Sequence, residues 1–344
     1  MFLIAIVLLT ICFLPVLPRS VRLLPSDEVP ASNWMSHLPL EVTRRPLSQI
    51  AIPGTHNAGS YSIQESSPTA PDLKFGLLIS FLGYFFNIRL SDWSVTQRAD
   101  FMTQLQCGIR YFDMRIAMRT PGCVASTSNS SLEVQSCFYL VHGLYAKRVD
   151  EELQVINSFL KTHPKEVVIV DFQHFYDFNA SLKLAFKDFI KDTFRDRLEP
   201  YRNQIPTLSD LWSRGKQVIV MGYEKKPKEH EDGDSVLWPR SSIRQPWPDT
   251  RSPDNLGTFL SNEYTTWMRA NKSANFFVFQ GILSPDLDYI LSNSGSGIQK
   301  LAEMANAIVK AWLNGLKWLQ GIVITDFSIV GFPSFARSVF AKNW

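Results

Sequence analysis

Eight residues of this chain have side chains suited to chemistry, and each lies in or just past an apolar, strand-like run. His56 follows Ile50-Ala51-Ile52, Asp113 and Arg115 lie within IRYFDMRI, and His142 follows Phe138 to Val141. Asp171, Gln173 and His174 end EVVIVDF, and Asp326 ends GIVITDF. Two histidines and an arginine can run phosphodiester transfer. One imidazole takes the proton of the attacking hydroxyl, and the other, protonated, gives one to the leaving oxygen. A guanidinium holds the phosphoryl oxygens where charge accumulates. Carboxylates behind the histidines fix tautomer and orientation.

The elements that must position these groups follow from the pattern. Ile50 to Ile52 read as the end of a buried strand, and Pro53-Gly54 stop it in a turn presenting Thr55, His56 and Asn57 among small residues. IRYFDMRI alternates with period two, placing Arg110, Phe112 and Met114 on one face and Tyr111, Asp113 and Arg115 on the other. EVVIVDF and KQVIVM (Lys216 to Met221) are β-branched runs of the kind buried on both faces of a parallel sheet. Helices are expected over Trp93 to Cys107, Val149 to Leu160, Phe178 to Phe194, Leu208 to Ser213 and Ile298 to Leu319. Apolar strands alternating with helices give an α/β class, with seven or eight strands and polar residues past their C-terminal ends. That favours a single (β/α) barrel whose rim carries the chemistry. A doubly wound sheet is the alternative, but no Gly-rich phosphate loop follows a first strand.

The 344 residues, 45% hydrophobic, suffice for a large core, and the net charge of +3 with no Lys/Arg-rich run argues against a nucleic-acid partner. Phe2 to Leu17 is apolar and of signal-peptide length, so residues 1–24 read as a signal peptide or an N-terminal anchor, and 25–344 as the barrel domain. Sequons at Asn129, Asn179 and Asn271 fit a secreted or lumenal glycoprotein. Cys123 and Cys137 flank a Ser/Asn-rich loop and can close a disulfide, leaving Cys107 in an apolar context. Lys74 to Leu90 is rich in Phe and reads as a buried helix, as an element dipping into lipid or, least favoured because Gly76 and Gly83 interrupt it, as a membrane span. Trp238 and Trp247, on a Pro-bearing loop, read as interfacial anchors or as loop packing. His37, His163 and His230 read as surface residues, and Trp34 and Met35 as packing on the body.

PGTHNAGSY, GIRYFDMR, VHGLY and VVIVDFQH, in that order, resemble the X domain of phosphatidylinositol-specific phospholipase C. The resemblance is strongest to the short animal proteins that consist of the X domain alone and to the bacterial enzymes, and it covers residues 45 to 335. It implies a distorted TIM barrel and attack of the inositol 2-hydroxyl on phosphorus, giving diacylglycerol and a cyclic inositol phosphate. By similarity His56 is the general base, His142 the general acid and Asp326 the carboxylate paired with the base. Asn57 and Asp113 match polar active-site positions. Arg115 stands where the calcium-dependent enzymes carry an acidic ligand, and Gln173 near a position where they use glutamate. The resemblance therefore implies metal-independent chemistry with no cofactor. The basic residues that read phosphorylated head groups have no match around Met221 to Tyr223, so phosphatidylinositol itself or a glycosylated inositol lipid at a membrane surface is the expected partner, with no obligate protein partner. Tyr223 reads either as stacking on an inositol ring or as ordinary packing. The competing readings are a metal-dependent glycerophosphodiesterase or sphingomyelinase D type of barrel, and an idle X domain that binds lipid or glycan.

Overall fold

The computed structural model describes residues 27–73, 88–119, 137–223, 236–270 and 275–344. Ten strands occur among them: β1 (Ala51–Thr55), β2 (Tyr111–Met118), β3 (Phe138–His142), β4 (Leu144–Arg148), β5 (Val168–Tyr176), β6 (Val218–Tyr223), β7 (Trp238–Pro239), β8 (Ile243–Arg244), β9 (Phe276–Gly281) and β10 (Gly321–Thr325). Eight of them pair in parallel in the order β7-β6-β5-β2-β1-β10-β9-β8. The outermost pair, β7 and β8, is linked by the turn Arg240–Ser242, so the sheet curls into a nearly closed parallel barrel. The two-residue strands β7 and β8 replace what the sequence presents as one loop. Their shortness follows from Pro239, which has no N–H to donate.

The alternation within each strand sorts two cores. Ile52, Tyr111, Ile169, Ile219, Phe276, Val278, Ile322 and Ile324 fill the lumen. Phe112, Val168, Val170, Val218, Val220, Phe277, Phe279 and Val323 face outward. The helices α1 (Phe101–Gln106), α2 (Val149–Thr162), α3 (Ala180–Phe194), α4 (Leu208–Ser213), α5 (Pro253–Arg269), α6 (Gln299–Gly315) and α7 (Phe335–Phe340) surround the strands. Leu153, Ile156, Phe186, Ile190, Leu256, Leu260, Val309 and Leu313 of α2, α3, α5 and α6 cover the outward strand residues. Val167 to Val170 of the β5 run and Val218 to Met221 of β6 are thus buried and apolar on both faces, which is why EVVIVDF and KQVIVM carry no polar alternation.

The turn Ala31–His37 and the segment from α7 to Trp344 pack at the end of the barrel where β1 begins. Trp34 is fully buried, donates its indole N–H to Gly108 O and stacks on Phe340 with 5.3 Å between ring centroids. Asn343 brackets Ala51 of β1, accepting from its N–H and donating to its carbonyl.

Three regions depart from the sequence-based expectation. The segment Trp93 to Cys107 is not one helix: Leu90–Ser94 and α1 are separated by Val95 to Asp100, which carry two residues that brace the site. β3 and β4 are a hairpin running antiparallel off β2, so His142 ends an arm and not a barrel strand. Arg110 shares the outward side of Phe112 and Met114, but as a charge it is fully buried just before β2, with its Nε 2.8 Å from Glu166 Oε2 and its guanidinium over the Phe159 ring. Cys137 is disulfide-bonded and Cys107 is a free, partly buried thiol, while Cys123 lies outside the described residues. The leader, most of the Phe-rich segment (residues 74–87) and the sequons at Asn129 and Asn271 also fall outside them. Asn179 is exposed and caps α3, its side chain accepting from Leu182 N–H. Among the described residues no helix is long and apolar enough to cross a membrane.

Candidate active site

The C-terminal ends of β1, β2, β5 and β10 converge with the tip of the β3–β4 arm. His56 directly follows β1, and its turn is fixed by backbone and side-chain donors. Gln97 Nε2 donates to the carbonyls of His56 (3.1 Å) and Thr325 (2.8 Å), and Gln97 Oε1 accepts from Ser328 N–H. Thr96 Oγ1 also donates to His56 O. One buried glutamine therefore clamps the loops after β1 and β10 together. Gly59 lets the loop press against the arm, since a Cβ there would lie 2.2 Å from Leu140 Cδ1.

The result is a dyad. His56 Nδ1 lies 2.7 Å from Asp326 Oδ1, both side chains being buried. A carboxylate accepts, so Nδ1 carries the hydrogen and Nε2 is left as the basic lone pair. Asn57, in left-handed backbone geometry (φ 41°), donates its side-chain amide to that Nε2 at 2.8 Å. Asp113 Oδ2 stands 3.9 Å from the same atom. Burial pushes the Asp113 carboxyl up to about 6, against the pull of His56 and Arg115.

His142 faces His56 edge-on, with ring centroids 6.0 Å apart. Its Nδ1–H donates to Ser94 O at 2.7 Å, which leaves Nε2 free. Burial, and then the Arg115 cation, depress its pKa to about 3, so the imidazole is neutral in the unliganded site. Arg115 directly follows a register shift between β2 and β5, where Met114 pairs with Phe172 and Arg115 with His174. The extra residue in β5 is Gln173, and a bulge beside a site re-aims the side chains around it.

Sequence-predicted residues His56, Asn57, Asp113, Arg115, His142 and Asp326 are thus brought together. Asp171 lies deeper, accepting from Tyr111 Oη (2.6 Å) and Arg240 Nη1 (2.7 Å). Gln173 meets Gln245 across the barrel at 2.9 Å. His174 is exposed. Tyr223 ends β6; the placement of its side chain lies outside what the structure describes. Trp238 is buried, donating to Glu199 O, and is no rim anchor. Trp247, 41% exposed, lies over His56 with ring centroids 5.6 Å apart. Sequence reasoning missed Gln97, Arg240 and Asp72. Asp72 Oδ1 accepts from Gly143 N–H, and its Oδ2 lies 4.0 Å from Arg115 Nη1. Asp72 and Arg240 sit in loops with no periodicity to flag them. Among the described residues no group of three or more His, Cys, Asp or Glu side chains is placed to hold a metal ion.

No family model matches the chain. PI-PLC X domain-containing protein 3 of Homo sapiens is 30% identical over 324 residues, covering 92% of this chain and 95% of that protein. Human PI-PLC X domain-containing protein 2 is 33% identical over 282 residues, covering 82% and 87%. In solved structures the fold recurs in the phosphatidylinositol-specific phospholipase C of Listeria monocytogenes, at TM-score 0.64 and 20% identity over 92% of this chain and 99% of that one. A Staphylococcus aureus enzyme of the same description matches at TM-score 0.64 and 17% identity, covering 92% and 98%. The conserved fold and the extent of the match over nearly all of the relatives' length lead to one conclusion: the chain belongs to the PI-PLC X domain-containing proteins.

Proposed function

We propose that the chain is a phosphoric diester lyase acting on phosphatidylinositol-type lipids, with His56 as base and His142 as acid. The observation that carries this reading is the His56–Asp326 dyad with His142 edge-on 6.0 Å away and Arg115 beside it. In the reaction His56 Nε2 takes the proton of the inositol 2-hydroxyl, whose oxygen forms the new bond to phosphorus. The bond from phosphorus to the glycerol oxygen breaks, and His142 Nε2–H protonates that oxygen. The products are diacylglycerol and a cyclic inositol phosphate. Asp326 holds His56 in the tautomer with a free Nε2 and stabilises the imidazolium that forms.

The depressed pKa of His142 is consistent with this role once substrate is present. A phosphodiester bound against Arg115 brings a negative charge to the place where the unliganded site has only a cation. Arg115 repulsion, the second cause after burial, is then offset, which moves the imidazole back toward its usual value and toward the protonated form an acid needs. Arg115 also supports chemistry without a metal, because a guanidinium already supplies positive charge at the phosphoryl position and would repel a divalent ion. The apolar leader-like segment and the sequons support action in the secretory path or at its surface.

The test is hydrolysis of phosphatidylinositol vesicles in excess chelator, comparing wild type with His56→Ala and His142→Ala. Cyclic inositol phosphate that survives chelation and vanishes in both variants supports the reading. Activity restored only by calcium overturns the role given to Arg115. No turnover on any inositol lipid overturns the enzyme assignment.

A further inference from the structure

Arg115 needs a holder. Its side chain is 26% exposed on a long flexible stem, and its Nε is buried without a hydrogen-bond partner. Asp113, an anion on its own strand, is turned toward His56 and takes the Asn57 backbone N–H. The loop 68–72 supplies a second carboxylate. It docks on the tip of the β3–β4 arm like an added strand: Tyr145 N–H donates to Pro68 O and Ala70 N–H to Gly143 O, both at 2.9 Å, and Thr69 bridges Leu144. This docking delivers Asp72, with its side chain 1% exposed, between Gly143 and Arg115. Oδ1 takes the N–H of Gly143, the residue after His142, at 2.9 Å. Oδ2 is buried, makes no hydrogen bond and faces Arg115 Nη1 at 4.0 Å. Among the described residues Arg115 is the cation paired with this buried carboxylate oxygen, and a buried carboxylate is costly unless a cation is held against it.

We infer that Asp72 is a positioning residue for the acid half of the site, holding the Arg115 guanidinium at the phosphoryl position while tying the turn behind His142. Without the Asp72 charge, Arg115 is left to the pull of Asp113, which draws the guanidinium toward His56 and away from the leaving oxygen. This inference deepens the reading of the site as a phosphodiesterase and rests on it.

Asp72→Asn isolates the charge, because the amide oxygen still accepts from Gly143 N–H. The experiment is a cycle of wild type, Asp72→Asn, Arg115→Lys and the double variant, with two readouts. The first is turnover of phosphatidylinositol vesicles; the second is calorimetric binding of myo-inositol 1-phosphate, which needs no turnover. The expected result is a fall in kcat of about 10- to 100-fold for Asp72→Asn with KM within about threefold, and no added loss once Arg115 is lysine. Inositol phosphate affinity should fall about three- to tenfold in the Arg115 background and stay level in the lysine background. Additive losses, or a binding constant that is unchanged or tighter in Asp72→Asn, overturn the inference. If wild type binds inositol phosphate but turns over no lipid, the proposed activity fails and the binding cycle still decides the role of Asp72. If wild type does neither, both fall. Any loss of stability caused by Asp72→Asn is shared by the double variant and cancels in the comparison.

Discussion

Asn57 donates its side-chain amide to His56 Nε2 at 2.8 Å, on the atom that receives the substrate proton in the proposed reaction. The Asn57 side-chain oxygen is buried with no hydrogen bond. An attacking hydroxyl must displace that amide, and once displaced it can turn toward the substrate. The left-handed backbone of Asn57 separates two effects of mutation. Asn57→Ala keeps a Cβ at positive φ but loses the short polar side chain that lets asparagine tolerate that region, and is expected to destabilise the fold by about 1 kcal/mol. Asn57→Gly removes the same side chain without that strain. Urea unfolding should show the difference between the two variants, whereas their effects on turnover should match.

Asp326 should matter through the tautomer of His56 and not through packing. Asp326→Asn keeps the shape, but an amide N–H presented to Nδ1 selects the tautomer with its hydrogen on Nε2, which cannot accept the substrate proton. The expected loss in kcat is on the order of 10³- to 10⁴-fold with little change in melting temperature, measured by release of cyclic inositol phosphate.

His142 and Asp113 pull the pH dependence of stability in opposite directions. The pKa of His142 is depressed in the fold to about 3, below the usual histidine value. The unfolded chain therefore binds the proton first, and this group costs stability as pH falls from about 6.5 toward 3. Asp113 is raised to about 6, so its contribution is fully present below about 3.8 and is lost as pH rises through about 6. Asp113→Asn is accordingly expected to be more stable than wild type above pH 6, by about 1–3 kcal/mol, and to lose that advantage below pH 4. Urea midpoints for the two proteins across pH 4 to 8 check this; an advantage that grows in acid would contradict it.

Buried charge away from the rim should read out as stability alone. Arg110 donates to Glu166, Leu105 O, Ile109 O and Ser32 O, joining the start of β2 to α1, to the segment before β5 and to the N-terminal turn. Burial raises the Glu166 carboxyl, and Arg110 opposes that rise. Glu166→Ala leaves an uncompensated cation in the core, with an expected cost of about 3–5 kcal/mol in urea unfolding. The KM of the folded fraction should not move.

The same residues show why part of the molecule was legible in sequence and part was not. The barrel strands were readable because burial on both faces leaves unbroken β-branched runs, as in Val167 to Val170. His56, Asp113, Arg115 and Asp326 were readable because a parallel barrel places whatever ends a strand on one rim. His142 arrives there by another route, an antiparallel arm, which short apolar strands do not distinguish from a wall strand. Arg110 alternates like an outward residue but is claimed by a carboxylate 56 positions away, and no local pattern encodes that partner. Gln97 and Asp72 act from irregular segments, where position is set by tertiary hydrogen bonds such as Ala70 N–H to Gly143 O.

The two tryptophans that bracket the β7–β8 turn should separate cleanly. Trp238 is buried against Phe276 and Tyr201, with its indole N–H donated to Glu199 O. Trp238→Ala opens a cavity and leaves that carbonyl unpaired, so a loss of about 3–5 kcal/mol is expected. Trp247 lies over His56 but is 41% exposed, on a segment held by Gln280 Nε2 through the carbonyls of Gln245 and Pro246. Its removal should cost less than about 1 kcal/mol of stability. An indole beside the base and open to the rim is suited to the interface between head groups and acyl chains. Trp247→Ala should therefore weaken sedimentation with phosphatidylinositol vesicles several-fold while leaving hydrolysis of a short-chain, monomeric inositol phospholipid within a few-fold of wild type. Equal losses on vesicles and on the monomer would place Trp247 in the handling of the head group and not in contact with lipid.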